Sequence, residues 1–511
     1  MKALCLVVTL ALATPAAALQ QKEKDKQKEK QEKGQPAKPP SVEEQVRQAE
    51  EKEKAGDLEG AAELLRKLAA APGAGGDVSL RLGRVLAAKG ELDTAMDALK
   101  AAEAALAGPA KGEALGRLAA LQEMRGGAEA AQTAEAAASA DAAGAWPAIA
   151  LSRARARQGN GDEAVSLAEK AAAAGGGAEA QSALGYAHEA RGDLAAAEAA
   201  YRAAVAAEAA SLSGNIGLAR VLRKTGRGAE AEPLLQKVLA AAPGAVDAYK
   251  ESARVKLALN RVDEAMGDAA TAAALAEHDA EAQLLQQQVT IAKALGYVAQ
   301  GQPDLAVQDL TALRDRNPGL AEARVGLARA LVAKRQFDEA LGELKKAAEL
   351  KPDLAEAHYQ LGYVSYAFKG DAAGAIPALE KAVAADPGNV EYRTYLGAAL
   401  GDAKVGQVDR AVAELKKVAE SPGYTRAEAW IYMGRAYLTA KKYKDAIAPL
   451  EKAASLAPQS PDAFASLAWS YFGLKDAENF KKAGGKARSL GYQEKTLLDY
   501  LRRVEGGEPI K

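Results

Sequence analysis

The 511-residue chain carries 67 Lys and Arg against 68 Asp and Glu, a formal net charge of −1, so no bulk basic field draws it to nucleic acid or an anionic membrane. Hydrophobic residues make up 49% but aromatics only 5%, so alanine carries much of the apolar content, and alanine is the best helix former. Nothing in this composition reads as strand-rich.

At the N-terminus, Lys2 precedes an apolar run from Ala3 to Thr14, and Pro15 leads into the small residues Ala16, Ala17 and Ala18. That order reads as a secretory signal peptide over 1–18, cleaved after Ala18, and predicts a periplasmic or secreted protein. An uncleaved N-terminal anchor is the alternative, although the run is shorter than the roughly 20 apolar residues a membrane-spanning helix needs. Cys5, the one cysteine, lies inside the apolar run. Cleavage therefore leaves a mature chain without a disulfide, a thiolate metal site or a thiol nucleophile. No later segment is long and apolar enough to span a bilayer, so no transmembrane segment is expected in the mature chain. Residues 19–41 are Lys-rich, mixed in charge and end in prolines. They bury too little apolar surface to offset ordering entropy and read as a disordered charged linker, either a tether or a solvated leader.

From residue 42 a pattern recurs. Leu82-Gly83, Gly90, Ala95, Leu99 and Ala102 return as Leu184-Gly185, Gly192, Ala197, Tyr201 and Ala204. They return again as Leu327-Ala328, Leu331, Ala340, Leu344, Ala347 and Pro352, and as Trp430, Met433-Gly434, Tyr437, Ala446, Leu450, Ala453 and Pro458. Small residues let paired helices approach, large apolar ones fill the seam, and proline stops the second helix. The spacing resembles the tetratricopeptide repeat of about 34 residues. The resemblance implies an all-α, right-handed α-solenoid of about 12–13 helix-turn-helix repeats, without cofactor or metal.

The frame divides the chain into N-terminal repeats over 42–279, a unit at 280–320 with an elongated first helix, C-terminal repeats over 321–494, and a capping helix and tail over 495–511. In the middle unit the first helix (Gln283 to Gln300) is about seven residues too long for the frame. Small insertions fall at Lys369-Gly370 and Lys404-Val405. Residues 461–494 keep Phe464, Leu467, Tyr471 and Ala487 but place Phe480 where the second helix should have alanine. Residues 111–144 are almost featureless. Of the 24 aromatics, 18 lie after residue 354. Large side chains bury more apolar area, so the C-terminal third should be firmer than the N-terminal half.

Catalytic constellations are missing from the pattern. His188, His278 and His358 fall in different repeats without metal-ligand spacing, there is no phosphate-binding loop, and the carboxylates read as solvated helix charge. The chain is therefore expected not to be an enzyme. The resemblance implies that first helices line a concave groove, with the residue after the Leu-Gly pair, and the one four before it, facing a ligand. The residue after the pair is Arg84, Arg153, Arg220, Arg254, Arg329 and Arg435 in six units, and Tyr186, Tyr363 and Trp469 in three. Lys250 shares a face with Arg254, Tyr359 and Tyr366 share one with Tyr363, and Phe472 follows Trp469 at the same helical spacing.

Two readings of this face stay open. It is a groove for protein or peptide partners of acidic character, or its arginines pair with neighbouring carboxylates while its aromatics pack between repeats. Lys250 and Arg254 match the basic half of the family's carboxylate clamp, but Arg220 and Tyr186 stand where it has asparagines, so that specificity does not carry over. The function these features point to is a non-catalytic interaction scaffold in the bacterial cell envelope. The alternative is an acidic-glycan or polyanion-binding module.

Overall fold

The computed structural model describes residues 41–124, 129–277 and 279–510. The segment read as a signal peptide (1–18), all of the charged linker except Ser41, and His278 lie outside the described residues. The described residues form 27 α-helices and no strand, divided between two compact units.

The first unit comprises residues up to Thr225 together with Pro233–Ala245. Its helices come as helix-turn-helix pairs: α1 (Val42–Lys54) with α2 (Leu58–Ala69), α3 (Gly76–Ala88) with α4 (Leu92–Ala105), and α5 (Gly108–Met124) with α6 (Ala130–Ala140). They continue as α7 (Ala145–Arg157) with α8 (Gly161–Ala173) and α9 (Gly177–Ala190) with α10 (Leu194–Ala207). Then come α11 (Leu212–Lys224) and α12 (Gly228–Ala241), and the division falls within α12. From α3 to α11, the first helix of each pair also touches the first helix of the next.

The second unit comprises Gly226–Glu232 and the chain from Val246 onward. It pairs α13 (Val246–Ala258) with α14 (Val262–Leu275), α15 (Ala280–Ala299) with α16 (Pro303–Arg316), and α17 (Ala321–Ala333) with α18 (Phe337–Leu350). The series goes on through α19 (Ala355–Ala367) and α20 (Ala372–Ala385), then α21 (Val390–Leu400) and α22 (Val408–Ala419). It ends with α23 (Glu428–Thr439) and α24 (Tyr443–Leu456), α25 (Pro461–Gly473) and α26 (Ala477–Ser489), and a single last helix, α27 (Lys495–Glu505). At 20 residues α15 is the longest helix among those described, and Asp279 caps its N-terminus by accepting from the Glu281 and Ala282 N–H groups.

The repeat is held by a small-to-large contact between the two helices of a pair. A Cβ on Gly83 of α3 would sit 2.7 Å from Cγ of Leu99 on α4, and Gly185 stands in the same relation to Tyr201, 2.8 Å away. In the last pair the sizes are exchanged. Phe480 is fully buried where other repeats have alanine, and Gly484, one turn on, makes room for Leu501 of α27. The last helix thereby seals an apolar face that would otherwise end in water, the service a terminal cap performs in a solenoid.

Turns inside the pairs need a left-handed residue. Glycine supplies it at Gly90 (φ 77°) and Gly192 (φ 81°), whereas Asn260, Arg335, Lys441 and Lys475 adopt φ near 60° with a side chain in place. Gly90 is buried while its counterpart Gly192 is exposed, because the Gly90 turn meets Ala242 and Gly244 of the same unit.

Core composition varies along the chain. Between Ala49 and Leu121 leucine and valine outnumber alanine in the interior, with Leu65, Leu86 and Leu99 among them. Between Ala119 and Ala187 it is mostly alanine, relieved by Ile149 and Val165. An alanine-rich interior returns at the start of the second unit, where Ala253, Ala265, Ala269, Ala272 and Ala273 are buried beside Leu285 and Val289.

Candidate partner-binding surface

The arginine after the small residue of the Leu-Gly pair follows a recurring rule: it reaches an acid in the first turn of the next repeat's first helix. Arg153 of α7 lies 3.3 Å from Glu179 of α9. Arg254 of α13 lies 2.6 Å from Glu281 of α15, and Arg435 of α23 lies 2.7 Å from Asp462 of α25. An acid at that position also complements the positive end of its own helix.

Arg220 turns the other way. Its Nε donates to Glu189 (3.0 Å), its terminal amino group donates to the Tyr201 hydroxyl (3.3 Å), and Lys224 holds the same carboxylate at 2.8 Å. Burial alone would raise the Glu189 carboxyl, but the charges and hydrogen bonds of Arg220 and Lys224 carry it below the usual carboxylate range.

Lys250 is only 3% exposed and is enclosed by Asp247 (2.7 Å), Asp279 (3.0 Å) and Glu281 (2.8 Å). Burial opposes charge on Glu281 as well, yet Lys250 and Arg254 outweigh it and the carboxyl falls to about 2. Arg329 of α17 differs from all of these. It is exposed, and no partner of it is found among the described residues. The acid that the rule would supply, Glu356 of α19, instead accepts from the Tyr392 hydroxyl (3.0 Å) and from Gln360 (2.9 Å).

The aromatic side chains of α19, α21 and α23 form one continuous strip. Tyr359 stacks on Tyr392 with centroids 4.7 Å apart and on Tyr363 at 5.9 Å. Tyr363 meets Tyr395 edge-on at 4.9 Å, and Tyr395 leads on to Tyr432 at 6.3 Å. Tyr359 is nearly buried and donates to Glu391 (2.9 Å). The hydroxyls of Tyr363, Tyr366, Tyr395 and Tyr432 have no partner among the described residues. All four rings are part-exposed. Burial, reinforced by the neighbouring charges of Tyr432 and Asp402, pushes the Tyr366 phenol up to about 12. Burial and then the adjacent phenols push Tyr395 further upward. The Tyr366 and Tyr395 hydroxyls remain protonated donors throughout the physiological range.

Trp469 of α25 is placed otherwise. It packs edge-on against Phe472 (5.5 Å) and against Tyr500 of α27 (6.1 Å), at the junction of the last pair with the final helix.

Three participants are missing from the sequence reading. Tyr395 and Tyr432 immediately precede the Leu396-Gly397 and Met433-Gly434 pairs, a position that reading did not sample. Arg117 lies in a stretch read as featureless, although Leu115-Gly116-Arg117 repeats the Leu-Gly-Arg triplet of residues 82–84. Among the described residues no group of His, Cys, Asp and Glu is arranged to hold a metal ion, and no helix is long and apolar enough to cross a membrane. His358 is buried with its ring Nε2 2.9 Å from the Pro352 carbonyl oxygen.

Models of the tetratricopeptide repeat match residues 46–111, 149–211 and 216–282, residues 297–362 and 402–470, and residues 355–389, together more than half of the chain. Among solved structures, the APC/C hetero-tetramer Cut9-Hcn1 is similar at 15% identity and a TM-score of 0.41, over 89% of this chain and 95% of that one. PilW, described as a widely conserved type IV pilus biogenesis factor, is similar at 20% identity and a TM-score of 0.38, over 42% of this chain and 98% of that one. MamA from Desulfovibrio magneticus RS-1 is similar at 26% identity and a TM-score of 0.29, over 33% of this chain and 96% of that one. No curated protein matches the chain. Paired helices joined by left-handed turns, a small-to-large contact within each pair and repeat models matching both units lead to one conclusion: the chain belongs to the tetratricopeptide repeat family, whose fold is in general a non-catalytic scaffold for protein–protein interaction.

Proposed function

We propose that the chain is a non-catalytic adaptor of the bacterial cell envelope, exported by a signal peptide cleaved after Ala18, that holds a protein partner on the tyrosine strip of α19, α21 and α23. One observation carries the reading. Four phenol hydroxyls on three successive first helices, those of Tyr363, Tyr366, Tyr395 and Tyr432, lack partners among the described residues beside part-exposed rings. Rigid aromatic faces with a polar tip give a protein surface large contact area at low entropic cost. Partners of acidic character are the expectation at the remaining uncommitted cations, Arg329 foremost.

The polyanion or acidic-glycan alternative draws less support. Arg220, Arg254 and Arg435 are already engaged with carboxylates of the chain itself.

Site-specific photocrosslinking in cells tests the reading. A crosslinker at Tyr363 or Tyr395 should trap one discrete protein, and the same group at exposed Leu350 should not. Adducts of the chain with itself alone, or identical adducts from all three positions, would overturn it. Export is tested separately by sequencing the N-terminus of the mature protein, which should begin at Leu19.

A further inference from the structure

The tyrosine strip leaves one charged cluster of the first unit unexplained. Arg84, Arg117 and Arg153 each follow the small residue of the packing pair (Gly83, Gly116 and Ser152) on α3, α5 and α7. They occupy equivalent positions of three consecutive repeats, and α5 touches both α3 and α7.

Counter-charge for them is incomplete. Arg84 has no bonded partner among the described residues. Arg117 lies over Trp146, its guanidinium carbon 3.8 Å from the ring centroid, and uses only Nε in its 2.8 Å bond to Glu113. Arg153 is 7% exposed, and its Nε is buried without a partner. Its carboxylates are shared. Glu179 lies 3.3 Å away and also accepts from Ser213, while Glu123 lies 3.9 Å away and also binds Arg157 at 3.3 Å. Arg117, Arg153 and Arg157 thus share three carboxylates, Glu113, Glu123 and Glu179, and Arg84 adds a fourth positive charge with no bonded counterpart among the described residues. Burial lowers the Arg117 guanidinium to about 10, Glu113 offsets part of that, and the like charge of Arg84 lowers it further. An incoming anion would relieve that repulsion.

Spacing adds a specificity. First helices in contact lie about 8–10 Å apart. A peptide in the extended polyproline-II conformation rises about 3.1 Å per residue with three residues per turn, so every third side chain returns to the same face and meets the next repeat.

We infer that Arg84, Arg117 and Arg153 form a ladder that binds an extended acidic segment of a protein partner, with a carboxylate at every third residue. This deepens the scaffold reading, on which it rests, but it is independent of the tyrosine strip.

The test uses the full mature chain and two fluorescein-labelled synthetic peptides of identical composition. One has three glutamates at every third position and the other has them adjacent, separated from a Gly-Ser tail; inorganic phosphate serves as a competing probe. The spaced peptide should bind about tenfold tighter than the blocked one, and each of Arg84→Gln and Arg117→Gln should weaken it by about tenfold, the size of a lost charge-assisted bond. Lys346→Gln, exposed on the second helix α18 of the other unit, should leave the affinity unchanged. Because Arg84 has no bond to lose within the described fold, Arg84→Gln should melt as the parent does, which separates lost binding from lost folding. Equal affinity for both peptides, an unchanged constant in Arg84→Gln, or full displacement by phosphate at equimolar concentration would overturn the ladder. Any of these failures leaves the crosslinks from Tyr363 and Tyr395 as they were, so the ladder can fall without the scaffold reading.

Discussion

Gly362 of α19 and Leu379 of α20 are fitted to each other: a Cβ on the glycine would lie 2.5 Å from the leucine Cγ, and Leu379 is fully buried. Neither partner can change size alone. Gly362→Ala should destabilise the second unit by about 1–3 kcal/mol, the usual cost of overpacking a core. Adding Leu379→Val should recover part of that loss. Thermal unfolding of the two variants checks this, and a neutral Gly362→Ala would show that the two helices are free to separate.

The cluster around Lys250 should behave oppositely to the exposed Arg329. Removing the ammonium in Lys250→Met strands Asp247, Asp279 and Glu281 together, at a cost of about 3–5 kcal/mol. Arg329→Ala should stay within about 0.5 kcal/mol. The same cluster sets an acid dependence. The folded Glu281 carboxyl, at about 2, lies below its unfolded value of roughly 4.3. Its contribution is present in full above the unfolded value and is lost as the pH falls toward 2. Acid unfolding curves should show this loss in the parent and a weaker one in Glu281→Gln.

Lys441 occupies the left-handed turn position at φ 58° that glycine holds elsewhere, as at Gly192. The strain removed by Lys441→Gly exceeds the entropy the glycine adds to the unfolded chain. A gain of about 0.5–1 kcal/mol is expected, readable as a raised melting temperature. A loss would mean that the lysine stem contributes packing.

Hydrogen exchange should be fastest among helical amides of residues 130–187, where the interior is mostly alanine, and slower at 390–450, where Tyr392, Leu396, Leu415 and Met433 are buried. Equal protection in the two stretches would contradict the link between core volume and local stability.

The repeat frame was legible because each landmark is one half of a contact at fixed spacing, as with Gly83 and Leu99. The last pair was only half legible. Phe480 was visible as an intrusion, but its compensation by Gly484 needs the position of Leu501. The arginines show where a one-dimensional reading stops. Position alone placed Arg153, Arg254 and Arg435 on one face, but the acids they reach lie 26 or 27 residues further on and answer them across a helix pair. Arg329 breaks the rule because Tyr392 competes for Glu356, which no spacing reveals. Arg117 was concealed by its alanine-rich surroundings, and Tyr395 and Tyr432 by lying outside the sampled positions.

The most direct test of partner binding on the tyrosine strip removes its hydroxyls and nothing else. The triple variant Tyr363→Phe, Tyr395→Phe, Tyr432→Phe keeps every ring, and since none of the three hydroxyls has a partner among the described residues, its melting temperature should match the parent's. Affinity for the protein captured by crosslinking at Tyr363 should fall by about tenfold or more, the size of two or three lost hydrogen bonds. An unchanged dissociation constant, with the melting temperature also unchanged, would contradict the account.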